Sequence, residues 1–431
     1  MAGDPGTHER AVGEHLEPAF ACAVQHRPDE PAAQPLAFEA VPDLGVQQRD
    51  RAAPQPVVDE TGRLAVAADL EPGVAGVVDG FCHVSLQRRR LAQYASHRCP
   101  SSVGAVSNVE RDPAETVCGG VATAAEPEVE LLEPREVPLG GPRAMTVGRT
   151  LPNRNRRMVG AWCFADFYGP VGIAGQAGMQ VPPHPHIGLQ TVSWLLDGEV
   201  LHRDSLGSRA LVRPGELNLM TAGSGISHSE ESPAEHSPVL HGVQLWVALS
   251  GDQRAVGAHF EQHVDLPVLS AAGGAATVLM GRLDGAVSPA KTYTPLLGAE
   301  VAVGGADFLL PLEPNFEHAV LALRDGLTVD GRPVATGTML YLGRGRRDIS
   351  FGGPSTALLL GGTPFEEQIV MWWNFVGRDH DEIARARLDW EAAREAADPG
   401  SRFGAVLGYD GPPLAAPALP NVALRPRGRR R

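Results

Sequence analysis

The stretch VPPHPHIGLQTVSWLLDGEV, Val181–Val200, decides how the chain is read. His184 and His186 stand two residues apart, among Pro182, Pro183 and Pro185. Proline fixes φ and pushes the residue before it out of the helical region, so this backbone is extended. Side chains alternate faces along an extended chain, which puts both imidazoles on one side. Two neutral imidazoles on one face suit a divalent metal. The pair alone also fits an exposed loop, so a metal requires further ligands.

TAGSGISHSEES, Thr221–Ser232, offers them. His228 and Glu230 repeat the two-residue spacing and share a face, and Gly223 and Gly225 allow a tight turn just before them. A small barrel would bring the pairs together across its mouth. Three imidazoles and one carboxylate leave exchangeable positions on iron, manganese, nickel or cobalt.

The surrounding text predicts an all-β fold. TVSWLL (Thr191–Leu196) and EVLHRDS (Glu199–Ser205) flank Asp197-Gly198, the signature of a hairpin turn. Pro214-Gly215 marks another turn, and Leu240–Ser250 reads as a further strand. Short strands at this spacing predict a barrel or sandwich. After the Ala271–Ala276 stretch, AVLALRDGLTVDGRPVATGTMLYLG repeats the pattern, with turns at Asp325-Gly326 and Asp330-Gly331. One helix is expected over 380–397, capped by Asp379 or Asp381, with Ile383, Leu388 and Trp390 as its apolar side.

The chain has 431 residues, 43% of them hydrophobic and 20% charged, which predicts a globular protein of more than one domain. No apolar run reaches the length that spans a membrane, and the N-terminus lacks an export signal. Cys22, Cys82, Cys99, Cys118 and Cys163 are odd in number and lack C-x-x-C spacing, so a reduced cytoplasm is expected rather than a disulfide framework. A net charge of −14 argues against direct nucleic-acid binding. Lys291 is the only lysine, a bias that fits a GC-rich genome. Residues 1 to about 116 have no sustained periodicity and no tryptophan. They read either as a disordered extension or as translated upstream sequence, with Val117 or Val121 as the true start. The terminal RPRGRRR reads as a solvated basic tail.

The motifs HPHIGLQTVSWLLDGEVLHRDS, RPGELNLMTAGSGISHSE, HGVQLWV and GTPFEEQIVMWWNFVGRDHDEI together resemble the pirin family of the cupin superfamily. The resemblance runs from about Glu133 to Leu419. It implies two tandem cupin β-barrels (a bicupin) with a C-terminal helix. The expected divisions are an extension over 1–120, a metal-binding barrel over 121–265, a second barrel over 266–419 and a basic tail over 420–431. The resemblance also implies Fe(II) in the first barrel alone, on His184, His186, His228 and Glu230. Gln190 stands where a cupin Glu is common, so the metal's surroundings are expected to differ. His318 is read as a strand-end histidine, and Trp372 and Trp373 as packing. His202, His236 and His241 are read as surface or packing residues, with support of the metal site as the alternative.

Two activities follow from the resemblance. One is quercetin 2,3-dioxygenase chemistry, with a flavonol and O2 as substrates and Glu230 as catalytic base. Trp162, Phe164, Phe167, Tyr168 and Met220 are then candidates to line the mouth. The other is an iron-dependent, redox-sensing regulator that binds a partner such as a transcription factor.

Overall fold

The structure, a computed structural model, describes residues 116–118, 129–139, 145–426 and 429. The non-periodic stretch up to residue 115 and the expected start at Val121 lie outside the described residues.

Two short strands, β1 (Thr116–Cys118) and β2 (Glu130–Leu132), come first. The first barrel is then built from β3 (Arg135–Leu139), β4 (Met145–Leu151), β5 (Trp162–Gly172), β6 (Gln180–His186) and β7 (Leu189–Asp197). It continues with β8 (Val200–Asp204), β9 (Arg209–Val212), β10 (Leu217–Thr221), β11 (Ile226–Glu231), β12 (Val239–Ala248) and β13 (His259–His263). One sheet runs β13-β10-β7-β12-β5-β4-β3 and the other β6-β11-β8-β9. Every pairing is antiparallel.

Asp197-Gly198 is a turn, but not the hairpin the sequence predicts. β7 pairs with β10 and β12 in one sheet, whereas β8 pairs with β11 and β9 in the other. The dipeptide is a corner at which the chain changes sheets. A tight turn fixes the chain reversal but not the hydrogen-bonding partner, which long-range packing chooses here. Gly198 has φ +90, and a Cβ there would lie 2.6 Å from the Val239 carbonyl oxygen. The prolines of β6 are tolerated because β6 is the sheet edge, where a missing N–H breaks no inner ladder. Leu414 N–H donates to the Pro183 carbonyl at 2.9 Å and covers that edge.

The second barrel is one sheet, ordered Val268–Ala271, Gly274–Leu283, Leu296–Pro311, Asp348–Gly362, Glu317–Ala322, Met339–Gly343 and then β2. β2 precedes the first barrel in sequence but pairs in the second. Leu310, Phe308, Phe351 and Leu359 fill this barrel's buried interior. The outer face of the seven-stranded sheet packs on the second barrel. There Trp162 Nε1 donates to the Leu297 and Gly361 carbonyls, each at 3.1 Å, and Trp194 Nε1 donates to Glu300 Oε2 at 2.6 Å. A buried tryptophan that satisfies its indole N–H joins the barrels with a large apolar area at no polar cost.

The α-helix spans His380–Ala396, and Asp379 caps it by accepting from Glu382 N–H at 2.8 Å. It buries Ile383, Ala386, Trp390 and Ala393. Leu388, expected on the apolar side, is 62% exposed, because the buried stripe follows the i, i+3, i+7, i+10 positions from Ile383. Trp372 and Trp373 pack with Ile187, Phe375 and Phe403, as the sequence suggests. The basic end is not wholly solvated: Arg429 is buried, pairs with Glu317, and accepts from Arg157 N–H through its carbonyl.

Candidate metal centre

β6 and β11 are neighbours, and their register sets His228 opposite His184 and Ile226 opposite His186. A register shift between His228 and Glu230 then carries the carboxylate onward. On the other flank, β8 sets His202 opposite Glu230. The rings of His184, His186 and His228 converge, with centroids 4.4 to 5.0 Å apart. His186 Nε2 and His228 Nε2 are 3.1 Å apart. Ligand-type atoms of these three histidines all lie within 4.8 Å of one another. A second, overlapping set within the same limit is His202, His228 and Glu230. The structure thus brings together the four residues singled out in the sequence, with His228 shared and Glu230 on the His202 side.

All four are buried. Nδ1 of His184 lies 2.9 Å from the Pro182 carbonyl, and Nδ1 of His186 lies 3.0 Å from the Asn374 carbonyl. A carbonyl only accepts, so each Nδ1 carries the proton and each Nε2 keeps its lone pair for a metal. Burial lowers the His184 pKa to about 4 and holds His186 and His228 well below the usual histidine range. Neutral imidazole is the form that binds metal. Burial raises the Glu230 carboxyl, opposed by His202 and by the Ser193 hydroxyl. The donor set fits a borderline divalent transition metal.

Asn374 reaches His186 because Ile187 bridges to Phe375 and accepts from Val376 N–H at 3.1 Å. Gly188 permits that approach: its φ is +70, and a Cβ would sit 2.1 Å from the Val376 carbonyl oxygen.

The facing sheet presents two rows of side chains, read across directly paired strands. One row is Phe164, Trp246, Thr191, Met220 and Phe260. Trp246 stacks on Phe164 at 4.0 Å and meets the His186 ring at 5.2 Å, while Phe260 stacks on His202 at 4.6 Å. The next row is Arg149, Asp166, Gln244, Ser193 and Asn218. Arg149 and Asp166 form a bidentate pair at 2.7 and 2.8 Å. Ser193 Oγ lies 3.0 Å from Glu230 Oε1 and 2.9 Å from Gln244 Oε1, so one hydroxyl links the carboxylate to the row.

Of the residues expected to line the mouth, Phe164, Tyr168 and Met220 lie on this inward side by strand alternation. Burial, then the charges of Glu230 and Asp166, raise the Tyr168 hydroxyl. Trp162 and Phe167 instead turn outward: Trp162 bonds the second barrel, and Phe167 meets His241 edge-on at 5.4 Å. Gln190 also points outward. Its amide donates to Thr221 Oγ1 at 3.0 Å and to the Lys291 carbonyl at 3.1 Å rather than to any of the four candidate ligands. His202 is not a surface residue: it is buried, 3.2 Å from Asp204 Oδ2 and 3.4 Å from His228 Nδ1. His236 bonds the carbonyls of Ser237 and Gln176, remote from the cluster. His318 is buried in the second barrel and belongs to neither set of converging ligand atoms among the described residues. Sequence reading missed the polar row. Its signal was faint: single polar residues inside apolar strands, such as Ser193 in TVSWLL and Gln244 in GVQLWV.

Two barrels in tandem, one with a histidine and carboxylate cluster, define a bicupin. The Pirin family matches residues 144–247, and the Pirin C-terminal cupin domain matches residues 302–396. A Pseudomonas aeruginosa protein, provisionally named a quercetin 2,3-dioxygenase, is 46% identical over 290 residues, spanning 66% of this chain and 89% of its own length. A pirin-like protein of Caulobacter vibrioides is 39% identical over 259 residues, 58% of this chain and 88% of its own. The crystal structure of a quercetin 2,3-dioxygenase from Acinetobacter baumannii superposes with a TM-score of 0.64 at 39% identity, covering 69% of this chain and 98% of that one. The chain belongs to the pirin family.

Proposed function

We propose that the first barrel holds a divalent transition metal, ferrous iron in the family reading, on His184, His186, His228 and Glu230, and that the loaded protein opens flavonols with O2. The observation that carries this reading is the convergence of three neutral imidazoles beside a buried carboxylate, faced by an aromatic row. The names of the Pseudomonas and Acinetobacter relatives support the substrate class. When bound, the metal supplies Lewis acidity toward a substrate hydroxyl.

The chain's own residues do the rest. The Nδ1 protons of His184 and His186, fixed by carbonyls, aim Nε2 inward. Glu230 accepts the flavonol hydroxyl proton on a carboxylate oxygen. Its raised pKa makes it a stronger base than a solvated carboxylate. Ser193 holds Glu230 Oε1 toward the facing sheet and fixes the direction of transfer. Trp246 stacks on Phe164 and meets the His186 ring, so the cluster has aromatic surroundings, and the burial of the whole cluster keeps water from competing.

The test is O2 uptake and flavonol absorbance on iron-loaded wild type and Glu230→Gln, with iron measured in both. Wild type oxidises quercetin, while Glu230→Gln keeps much of its iron and loses ~10²–10⁴-fold in rate, the usual contribution of a positioned base. An iron-loaded wild type that oxidises no flavonol would sink the enzyme reading and leave the regulator. A Glu230→Gln that keeps iron and full rate would remove Glu230 as base.

A further inference from the structure

Asn218 is 3% exposed, and neither its Oδ1 nor its Nδ2 has a hydrogen-bond partner among the described residues. A buried carboxamide without partners is costly, and such groups persist where something else meets them. β10 sets Asn218 opposite Ser193, and directly opposed residues point to the same face. Ser193 Oγ touches Glu230, so Asn218 opens onto the same interior as the carboxylate. Trp246 Nε1, on the adjoining row, is also buried and without a partner among the described residues, and its ring lies against His186. Three unmatched polar atoms therefore lie on the sheet face that meets the histidine cluster.

We propose that Asn218, aided by Trp246 Nε1, is a specificity-determining residue that binds a hydroxyl carried by the ligand's ring system away from the metal-bound end. The inference rests on the flavonol reading and deepens it. The chemistry selects the class. A carboxamide offers a donating amino group and an accepting carbonyl, which a phenolic hydroxyl matches with its own acceptor and donor. The row adds no attraction for an acidic ligand, because Arg149 is neutralised by its bidentate pair with Asp166. The aromatic neighbours Trp246 and Phe260, packed against His186 and His202, make the surroundings apolar, which suits an aromatic framework. The preferred ligand is a neutral, polyhydroxylated aromatic rather than one with a single metal-binding hydroxyl.

The experiment is anaerobic binding to the full-length, iron-loaded protein, followed by tryptophan fluorescence. Quercetin is compared with 3-hydroxyflavone, which lacks the remote hydroxyls, on wild type and on Asn218→Leu, a substitution of similar size. Wild type should prefer quercetin by about 10- to 100-fold, the range expected for one buried hydrogen-bonding group. Asn218→Leu should lose most of that preference, bind 3-hydroxyflavone at least as well as wild type, and keep its iron. Its melting temperature should hold or rise, since an unmatched amide is removed. If Asn218→Leu fails to fold, the preference is read on Asn218→Ala, and full selectivity there overturns the proposal. Unchanged selectivity in a folded Asn218→Leu overturns it while leaving the flavonol reading intact. If wild type binds neither flavonol, the flavonol reading falls and takes this inference with it.

Discussion

The two barrels answer the same packing problem in opposite ways. In the second, a row of directly paired residues runs Val278, Ala299, Leu359, Val320 and Leu340, all buried and all apolar. In the first, an equivalent row runs Arg149, Asp166, Gln244, Ser193 and Asn218. The ladder of backbone hydrogen bonds is alike, so the fold permits either filling. An apolar row closes a barrel through the hydrophobic effect. A polar row requires a partner for each group: Arg149 and Asp166 find each other, Ser193 finds Glu230 and Gln244, and Asn218 finds none among the described residues. The comparison teaches that the same strand ladder can be filled by apolar packing or by buried polar groups that each need a partner.

The largest expected effect comes from the apolar side. Phe351 is fully buried in the second barrel, and Phe351→Ala should cost about 3–5 kcal/mol, measured by chemical denaturation. Iron per folded chain should stay unchanged at low temperature. Loss of iron while the variant is still folded would break the division between the barrels.

A smaller effect is expected where the barrels meet the site. Gly188→Ala forces a Cβ against the Val376 carbonyl at a φ of +70 and displaces the segment that carries Asn374 to His186. Iron affinity should fall about 10- to 100-fold, as for lost support of a ligand histidine. A metal titration that gives wild-type affinity would show that this support does not matter.

His318 sharpens the comparison through pH. Burial lowers its pKa from 6.5 to about 4, and the charge of Arg346 adds to that. The unfolded chain therefore takes up this proton before the folded chain does. The resulting loss of stability begins as pH falls through 6.5 and is complete below about 4. At pH 5 it amounts to about 2 kcal/mol. His318→Leu should resist that loss, so its melting temperature should exceed wild type more at pH 5 than at pH 8. An equal difference at both pH values would mean that His318 is solvated or paired.

Much of the site was legible because strand alternation is short-range. The spacings His184-x-His186 and His228-x-Glu230 each state a shared face without reference to the rest of the chain, and the structure brings the pairs together. The strands and the capped helix were legible from equally local patterns, whereas the two-barrel class came with the family resemblance. What depended on pairing was not. Asp197-Gly198 could announce a turn but not that β7 and β8 part there into different sheets. The sequence could not show that Gln190 and Trp162 face outward, because that depends on how the sheet curls and on a register shift near Trp246. The polar row exists only across five strands, so no local window contains it. The support that Asn374 gives His186 spans 188 positions of sequence.

The central claim, that the first barrel alone is a metal site, is tested most directly by metal analysis. Wild type, His228→Ala and His318→Ala would be loaded anaerobically with iron and their metal-to-protein ratios determined. The account expects a single metal ion per chain in wild type, near-complete loss in His228→Ala, and no change in His318→Ala. Retention of metal by His228→Ala, or its loss in His318→Ala, would contradict the account.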